Sequence, residues 1–317
     1  MKKIFIFLFL SLTLNLDGFG QMRRYMSQFN QFQNYFNPAM TGYEGSNLKG
    51  FVRNQWAGFD GSPQLFYMST ELDFSEMKGM KDPSLVGKNT TGVTFLNESY
   101  GAFVDTEIQA AYAARVRLSR GTNLRLGASI NYMHSRLDGN NLTTEQANDP
   151  TVAQYLNSFG NMSTIDFNVG LALTHENYYI GYSLQNANRG ALNFGEVFVD
   201  RKPSVSIFQS GFRHTVSPSV SIASHFMYRS QIDLPNHFEA NVKAILLDRI
   251  WVGAGHRVNY ANNFTFGFVH QQIKFGYTHE LPSQKGYLLP YATHEFILTF
   301  AFWRKYGKSN ESSLVIW

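Results

Sequence analysis

The sequence predicts an all-β chain: an antiparallel transmembrane β-barrel of about fourteen strands, with an N-terminal segment that plugs the lumen. Apolar residues alternate with small or polar ones over residues 48–302, for example along Ile165-Asp166-Phe167-Asn168-Val169. A period of two is typical of strands with two unlike faces. Charged residues make up only 16% of the chain although aromatic residues reach 15%, whereas soluble proteins contain about 25% charged residues. A barrel that turns its apolar face to lipid and its polar face to the lumen has this composition.

Residues 1–20 are typical of a secretory signal peptide. Lys2 and Lys3 precede an apolar run that begins at Ile4 and ends at Leu14, after which the residues are polar and small. The run of about 11 residues is shorter than the about 20 that a spanning helix needs, so we predict cleavage near residue 20. The alternative is a signal-anchored or periplasmic soluble protein. The chain contains no cysteine, which excludes a lipoprotein, a disulfide scaffold and a cysteine zinc site.

The alternation and the turn residues divide the rest of the chain. Residues 21–47 lack strand alternation and are predicted to be the plug, residues 48–302 the barrel, and residues 303–317 a C-terminal tail. The predicted strands lie near residues 48–56, 63–74, 90–98, 102–118, 123–135, 164–174, 178–185, 205–215, 219–231, 237–247, 250–260, 263–270, 273–281 and 291–302.

The connections between the predicted strands alternate in length. Links such as 176–177 and 271–272 are short, whereas 136–163, 186–204 and 282–290 are long. Short turns face the periplasm and long loops face outward in such barrels. The link 75–88 is long on the periplasmic side, and we predict a helix near residues 75–80.

The polar faces of these strands predict the residues that line the lumen: Arg115, Arg117, Arg125, Ser129, Asn131, Asp166, Asn168, Glu239, Asn241, Lys243, Arg257 and Asn259. Both signs of charge are present. One interpretation is an internal network of ion pairs that fills the barrel, because a buried charge must be paired or hydrated. The other is a selective channel with charged walls.

No catalytic, metal or cofactor site is predicted. The alternative is an outer-membrane lipase, whose serine and histidine can lie on the barrel wall without a local motif. His279 precedes Glu280 and His294 precedes Glu295, but adjacent strand residues point to opposite faces and cannot act together. No motif of a serine hydrolase, a zinc protease or a phosphate-binding loop is present. The net charge of +4 is spread over the strands, which argues against nucleic acid as a partner.

One segment carries motifs outside the barrel pattern. The chain reads Ser27-Gln28-Phe29, then Asn37-Pro38-Ala39-Met40-Thr41-Gly42, then VRNQWAGFDGSP over residues 52–63. These motifs resemble the PorP/SprF family of the type IX secretion system of Bacteroidota, whose pattern runs SQY/F, NPAxxG and YRxQWxGxxGxP. The matching residues are Ser27, Gln28, Asn37, Pro38, Gly42, Arg53, Gln55, Trp56, Gly58, Gly61 and Pro63. A looser likeness extends to the end of the barrel. Asn37 before a proline favours a turn, and Gly42 can supply a left-handed step.

The resemblance implies an accessory barrel of the cell outer membrane without enzymatic activity. Its expected partners are a secreted type IX substrate with a C-terminal sorting domain, often a gliding adhesin, a periplasmic peptidoglycan-binding protein, and membrane lipid or lipopolysaccharide. No cofactor is implied. The chain departs from the family because residues 303–317 follow the aromatic tip of the last strand at Phe302. The alternative function is a channel for a small or hydrophobic solute.

The two longest outward loops, 136–163 and 186–204, are predicted to contact the secreted partner, because rigid scaffolds present binding residues on such loops. Aromatic side chains are favoured at interfaces, and these loops contain Tyr155, Phe159, Phe194 and Phe198. The alternative is that the loops only cover the mouth of the barrel.

Overall fold

The computed structural model describes residues 24–59, 61–79, 89–119, 121–142, 155–196, 202–232, 234–283, 292–303, 305–306 and 313–314. Strands dominate these residues: β1 Asn47–Asn54, β2 Gln64–Asp73, β3 Asn89–Tyr100, β4 Phe103–Arg117, β5 Asn123–Asp138, β6 Phe159–Thr174, β7 Tyr178–Gln185, β8 Leu192–Gly195, β9 Val205–Ser217, β10 Val220–Gln231, β11 Leu234–Leu246, β12 Ile250–Arg257, β13 Ala261–His270, β14 Ile273–Pro282, β15 Thr293–Ala301, β16 Lys305–Tyr306 and β17 Ser313–Leu314. The helical turns are short: Phe29–Gln31, Gln33–Phe36, Pro38–Met40, Phe74–Met77 and Gly139–Asn141. None of the helices in the described residues is long and apolar enough to cross a membrane.

In the described residues, fourteen strands form a closed antiparallel barrel, β1–β7 followed by β9–β15. Each strand pairs with its neighbour in the chain, and β15 pairs with β1 to close the ring, with Asn47 opposite Ala301 and Asn54 opposite His294. Strand β8 is additional, because it pairs with the far end of β6 rather than with a barrel neighbour on each side. The short strands β16 and β17 pair with each other in the tail. The predicted barrel of fourteen strands is confirmed.

The longest loops join strands at one end of the barrel, which we call the outer end because long loops face outward in bacterial barrels. The opposite, inner end carries turns of two to five residues and one longer link that follows β2. This link begins with the helix Phe74–Met77, close to the predicted helix at residues 75–80. Residues 80–88 of the link lie outside the described residues.

Strands β5 and β6 extend farther into the loop between them than predicted. The prediction placed the loop at residues 136–163, whereas β5 continues to Asp138 and β6 begins at Phe159. The outward side chains at these strand ends include His134, Arg136 and Ser163. Apolar outward residues are needed only at membrane depth, so the alternation fades although the strand pairing continues.

The outward face of the barrel is apolar. Burial alternates along β13 and β15, and the six residues predicted to face lipid are exposed, with fractions from 41% to 55%: Phe264, Phe266, Phe268, Phe296, Leu298 and Phe300. An apolar outward belt is what contact with lipid requires.

Replacing Phe266 with arginine is expected to lower the free energy of unfolding by about 2–4 kcal/mol, because a guanidinium would face lipid near the middle of the membrane. The adjacent Thr265 points inward, and its hydroxyl donates to the carbonyl oxygen of Tyr277 at 3.1 Å. Thr265→Ser keeps that hydroxyl and should be nearly silent. Urea unfolding in lipid vesicles measures both variants. An unchanged free energy of unfolding for Phe266→Arg would contradict the outward position.

The inward face is polar, as predicted, with two exceptions. The predicted lumen residues on strand interiors are largely buried, including Arg125, Asp166 and Lys243. Arg117 and Asn259 were predicted wrongly and are exposed. Arg117 is the last residue of β4 and donates to the carbonyl oxygen of Ser119 at 3.0 Å. Asn259 lies in the turn after β12 with a φ of 65°. The alternation therefore assigns faces correctly until the strand ends.

Candidate functional site: the lumen and its N-terminal segment

Residues 24–46, which we call the N-terminal segment, lie against the inward faces of the strands. The segment is folded into the helical turns Phe29–Gln31, Gln33–Phe36 and Pro38–Met40. Nearly all of its side chains are buried, polar ones included. It starts near the outer end, where Arg24 meets β3 and β4, and it reaches the inner end at Ser46, whose backbone N–H donates to Glu76.

Apolar side chains of the segment pack on apolar inward residues of the wall. Phe32 contacts the rings of Phe51 and Tyr67, with centroids 4.8 Å and 4.9 Å apart. The shared apolar cluster contains Met26, Phe29, Phe32, Tyr35, Phe36, Phe51, Leu65, Tyr67, Leu96, Val205, Ile207, Met227 and Ile297. The core of the molecule therefore lies inside the barrel, between the segment and strands from both halves of the chain.

Asn37 fixes the segment to the wall between β6 and β7. Its backbone is extended, with φ −144° and ψ 110°, as expected before a proline. Its side-chain oxygen accepts from the N–H of Ala39 at 2.9 Å. Its side-chain nitrogen donates to the carbonyl oxygens of Leu171 at 3.2 Å and Tyr182 at 3.3 Å. One asparagine thus caps the turn Pro38–Met40 and joins it to two neighbouring strands.

Three glycines form the depression that receives this turn. A Cβ atom on Gly127 of β5 would collide with the backbone of Pro38 and Ala39, and one on Gly170 of β6 would collide with the Asn37 side-chain oxygen. A Cβ on Gly181 of β7 would lie 2.8 Å from the Asn37 side-chain nitrogen. The wall therefore needs residues without a side chain here, so that the backbone of the segment can approach it.

Gly42 makes the left-handed step that the sequence predicts, with φ +68°. A Cβ there would lie 2.6 Å from Thr90, so both its conformation and its surroundings favour glycine. Its N–H donates to Glu71 at 2.6 Å. Arg125 holds the preceding turn by donating to the carbonyl oxygens of Ala39, at 2.7 Å, and Thr41.

Ser27 enters a network of buried charges near the outer end. Its backbone N–H donates to Glu295 at 2.9 Å and its hydroxyl donates to Glu280. Arg53 pairs with both carboxylates, at 2.8 Å from Glu280. Arg257 pairs with Glu280 at 3.0 Å.

The network continues beyond these groups. Arg257 also pairs with Glu239 at 3.1 Å, and the side chain of Gln28 donates to Thr278. The charges are therefore paired with one another, which buried charges require. The motif residues Ser27, Gln28 and Arg53 meet here.

Two further ion-pair groups hold the ends of the segment. At the outer end, Arg24 pairs with three carboxylates, Glu98, Asp105 at 3.0 Å and Glu107. At the inner end, Glu44 pairs with Lys49 at 2.9 Å and with Lys274 at 3.2 Å. Strands β1, β3, β4 and β14 supply the partners, so the contacts surround the segment rather than lie on one side of it.

The other motif residues shape the outer loop between β1 and β2. The N–H of Gln55 donates to the carbonyl oxygen of Pro63 at 2.9 Å, and the Gln55 side chain accepts from Arg53 at 3.3 Å. Trp56 has a left-handed backbone with φ 55°, and Gly58 in the same turn has φ +99°. Gly61 lies in the same loop. The motif thus separates into a lumen group and a loop group that are linked through Arg53 and Gln55.

The predicted partner-contact residues are in part described. Phe159 at the start of β6 is 52% exposed, and Phe194 on β8 is 57% exposed. The pairing of Phe194 with Ser163 places it on the same face of the sheet as Phe159. Tyr155 is part-buried in the loop and its carbonyl oxygen accepts from Ser158. Phe198 lies outside the described residues.

Several residues of this site were missed by sequence reasoning. Arg24 and the glycines at 127, 170 and 181 carry no motif of their own. Glu280 and Glu295 were noticed only as neighbours of histidines, although their inward positions follow from the alternation. A search for charged residues at inward positions would have found both glutamates.

A family model described as type IX secretion system membrane protein PorP/SprF matches residues 19–300. No curated protein matches the chain. Among solved structures, the toluene transporter TbuX of Ralstonia pickettii is similar with a TM-score of 0.48 at 10% identity, covering 84% of this chain and 92% of its own. The CymD monoaromatic hydrocarbon channel gives 0.48 at 10% identity, with 90% and 96% covered. The outer membrane protein Omp33 of Acinetobacter baumannii gives 0.46 at 7% identity, with 81% and 97% covered.

Proposed function

Since the chain belongs to the PorP/SprF family of type IX secretion system membrane proteins, we propose that it is a non-enzymatic accessory barrel that supports the secretion or surface anchoring of a cognate secreted protein. The family and the barrel fold place the chain in the outer membrane. The partner we propose is a secreted type IX substrate, adhesin-like, that is recognised through its C-terminal sorting domain.

The observation that carries the proposal is the position of the N-terminal segment. Its side chains bond to strands from both halves of the barrel, for example Asn37 to β6 and β7 and Ser27 to β14 and β15. We infer that the segment acts as a plug. A filled barrel suits a scaffold that holds a partner at the surface better than it suits a channel for a solute.

The outer extension of β6 with β8 is the surface we propose for the secreted partner. Phe159 and Phe194 lie exposed on one face of it, and Arg136 stacks its guanidinium 5.5 Å from the centre of the Phe159 ring. Exposed aromatic side chains beside an arginine are the composition that protein interfaces favour.

At the inner end we propose the docking site of a periplasmic peptidoglycan-binding partner. The link after β2 begins with Phe74 and Met77, which are 37% and 52% exposed. Short turns are usual at this end of a bacterial barrel, so a longer link with exposed apolar residues supports a contact there.

Removal of the outer surface tests the role in anchoring. Residues 139–158 and 192–201 are replaced by short Gly-Ser links, which leaves Asn188 and Lys202 with their bonds to Ile165 and Asp166. We expect a folded barrel in the outer membrane and release of the secreted partner into the medium, because the exchange removes β8 with Phe194 and the loop that precedes Phe159. Immunoblots of cells and culture medium measure the distribution.

The matched control replaces residues 284–290, which belong to another outer loop, and should leave the partner on the cell. The double substitution of Phe159 and Phe194 with serine should release the partner as the loop exchange does. A partner that stays cell-attached with both loops exchanged would contradict this contact surface and place the contact elsewhere on the barrel or in residues 303–317.

A further inference from the structure

Two histidines face each other on the outward surface of the barrel near its outer end. His279 on β14 and His294 on β15 are directly opposite in the antiparallel ladder, and both are half-buried. The neighbouring Glu280 and Glu295 are buried on the lumen side. The sheet therefore separates the two imidazoles from the charge network, and the function described above does not use them.

The spacing of the two imidazoles suits a shared metal ion. The ring centres lie 5.1 Å apart, with 48° between the ring planes. With metal–nitrogen bonds of ~2.0–2.1 Å, two imidazoles on one ion at a near-tetrahedral angle have ring centres roughly 5 Å apart. Only small side-chain rotations are needed, because residues directly opposite each other in adjacent strands already hold their Cβ atoms within about 4.5–5.5 Å.

Tyr277 orients one of the rings. Its hydroxyl lies 2.7 Å from Nδ1 of His294. When Nδ1 carries the proton and donates it to the phenol oxygen, Nε2 presents its lone pair to an ion. Histidines that bind metals usually have the second ring nitrogen engaged in this way, which fixes the tautomer and the ring orientation.

A third donor lies in the same row of the sheet. Asn54, the last residue of β1, is opposite His294 on the other side of β15. Its side-chain oxygen is buried and accepts no hydrogen bond from any residue that the structure describes. A buried polar atom without a partner is unfavourable, so a ligand that this oxygen can bind would remove that penalty.

We propose that His279, His294 and Asn54 bind one divalent transition-metal ion of the Zn²⁺, Ni²⁺ or Cu²⁺ class, with water completing its coordination. Imidazole nitrogen suits these ions, whereas Mg²⁺ and Ca²⁺ prefer oxygen ligands. Among the described residues no group of three or more His, Cys, Asp or Glu could hold a metal, so this site depends on the amide oxygen as its third protein ligand. The ion would connect β14, β15 and β1, where the last strand closes on the first.

The experiment uses the full barrel, purified in detergent without a polyhistidine tag, and titrates it with Ni²⁺ by calorimetry. We expect saturation at one equivalent for this site, no binding of Mg²⁺, and an affinity lowered by at least about tenfold in His279→Ala. Tyr277→Phe keeps both imidazoles and should weaken Ni²⁺ binding by about 10–100-fold, the range found when a partner of a ligating histidine is lost. With Cu²⁺, electron paramagnetic resonance should show coupling to two imidazole nitrogens.

The control is His256→Ala. His256 is also an outward histidine near the outer end, but it lies on β12 and its Nδ1 is 2.7 Å from the side-chain oxygen of Asn262. This variant should bind Ni²⁺ as the unchanged protein does. An unchanged Ni²⁺ affinity in His279→Ala, or a Cu²⁺ spectrum with a single coupled nitrogen in the unchanged protein, would overturn the proposal. The copper spectrum requires no substitution and decides the matter if a variant fails to fold.

Discussion

Deletion of residues 24–45 is expected to turn a barrel of low conductance into a conducting channel. A barrel of fourteen strands is wider than the eight-stranded barrels that side chains alone can fill, and the N-terminal segment supplies the buried apolar and polar groups between its walls. Once the segment is absent, water can fill the lumen, and ions can pass along its charged walls. Planar-bilayer recording of the intact and the deleted protein measures the change.

A point substitution in the glycine depression that receives the Pro38–Met40 turn tests the same prediction without removing the segment. Gly170→Ala places a methyl group against the Asn37 side chain, whereas Gly50→Ala is its matched control, because Gly50 has nothing within 4 Å of the position of a Cβ atom. We expect brief openings with Gly170→Ala and none with Gly50→Ala. Large, steady channels from the intact protein would instead support the solute channel and contradict the plug.

Replacing Arg53 with leucine is expected to lower the free energy of unfolding by about 3–5 kcal/mol, the range found when one partner of a buried ion pair is removed. Arg53 pairs with both Glu280 and Glu295, and all three side chains are buried. Without the guanidinium, Glu295 loses its ion pair and Glu280 keeps only its ion pair with Arg257. Urea unfolding in lipid vesicles measures the loss.

The control is Arg117→Leu, because Arg117 is exposed at the end of β4 and exposed charges contribute little. Adding Glu295→Gln to Arg53→Leu removes one of the uncompensated charges and should restore part of the stability. If Arg53→Leu unfolds at the same urea concentration as Arg117→Leu, the network does not stabilise the barrel.

The sequence predicts the barrel well because lipid and lumen impose opposite demands on alternate residues. Phe266 and Thr265 are assigned to the correct faces from the pattern alone. The pattern fails where a strand extends beyond the membrane, because its outward residues no longer need to be apolar. Arg136, for example, was placed in a loop and lies on β5. It also fails at Arg117, because the last residue of a strand no longer has neighbours on both sides to bury it.

The candidate site is less predictable, because its partners lie far apart in the chain. Asn37 before a proline predicts a turn. Nothing in its motif indicates that Gly127 and Gly170 form the depression that receives this turn. Likewise, Arg53 stands in a motif, whereas its partners Glu280 and Glu295 come from the last two barrel strands. The alternation of apolar and polar residues assigns each residue to a face of the sheet. Which inward residues come into contact depends on the register of the strands and on the closure of the barrel.

The contacts of Ser27 have a consequence for assembly. Its bond to Glu295 joins residues 268 positions apart, and its bond to Glu280 joins residues 253 positions apart. Contacts of such long sequence separation form late, because a large loop must close first. A nascent chain that lacks its final hairpin would therefore hold Ser27 and Arg53 near the lumen without the two acids that receive them. The contacts of Ser27 can therefore form only after β14 and β15 have joined the sheet. The final position of the N-terminal segment thus depends on a complete barrel.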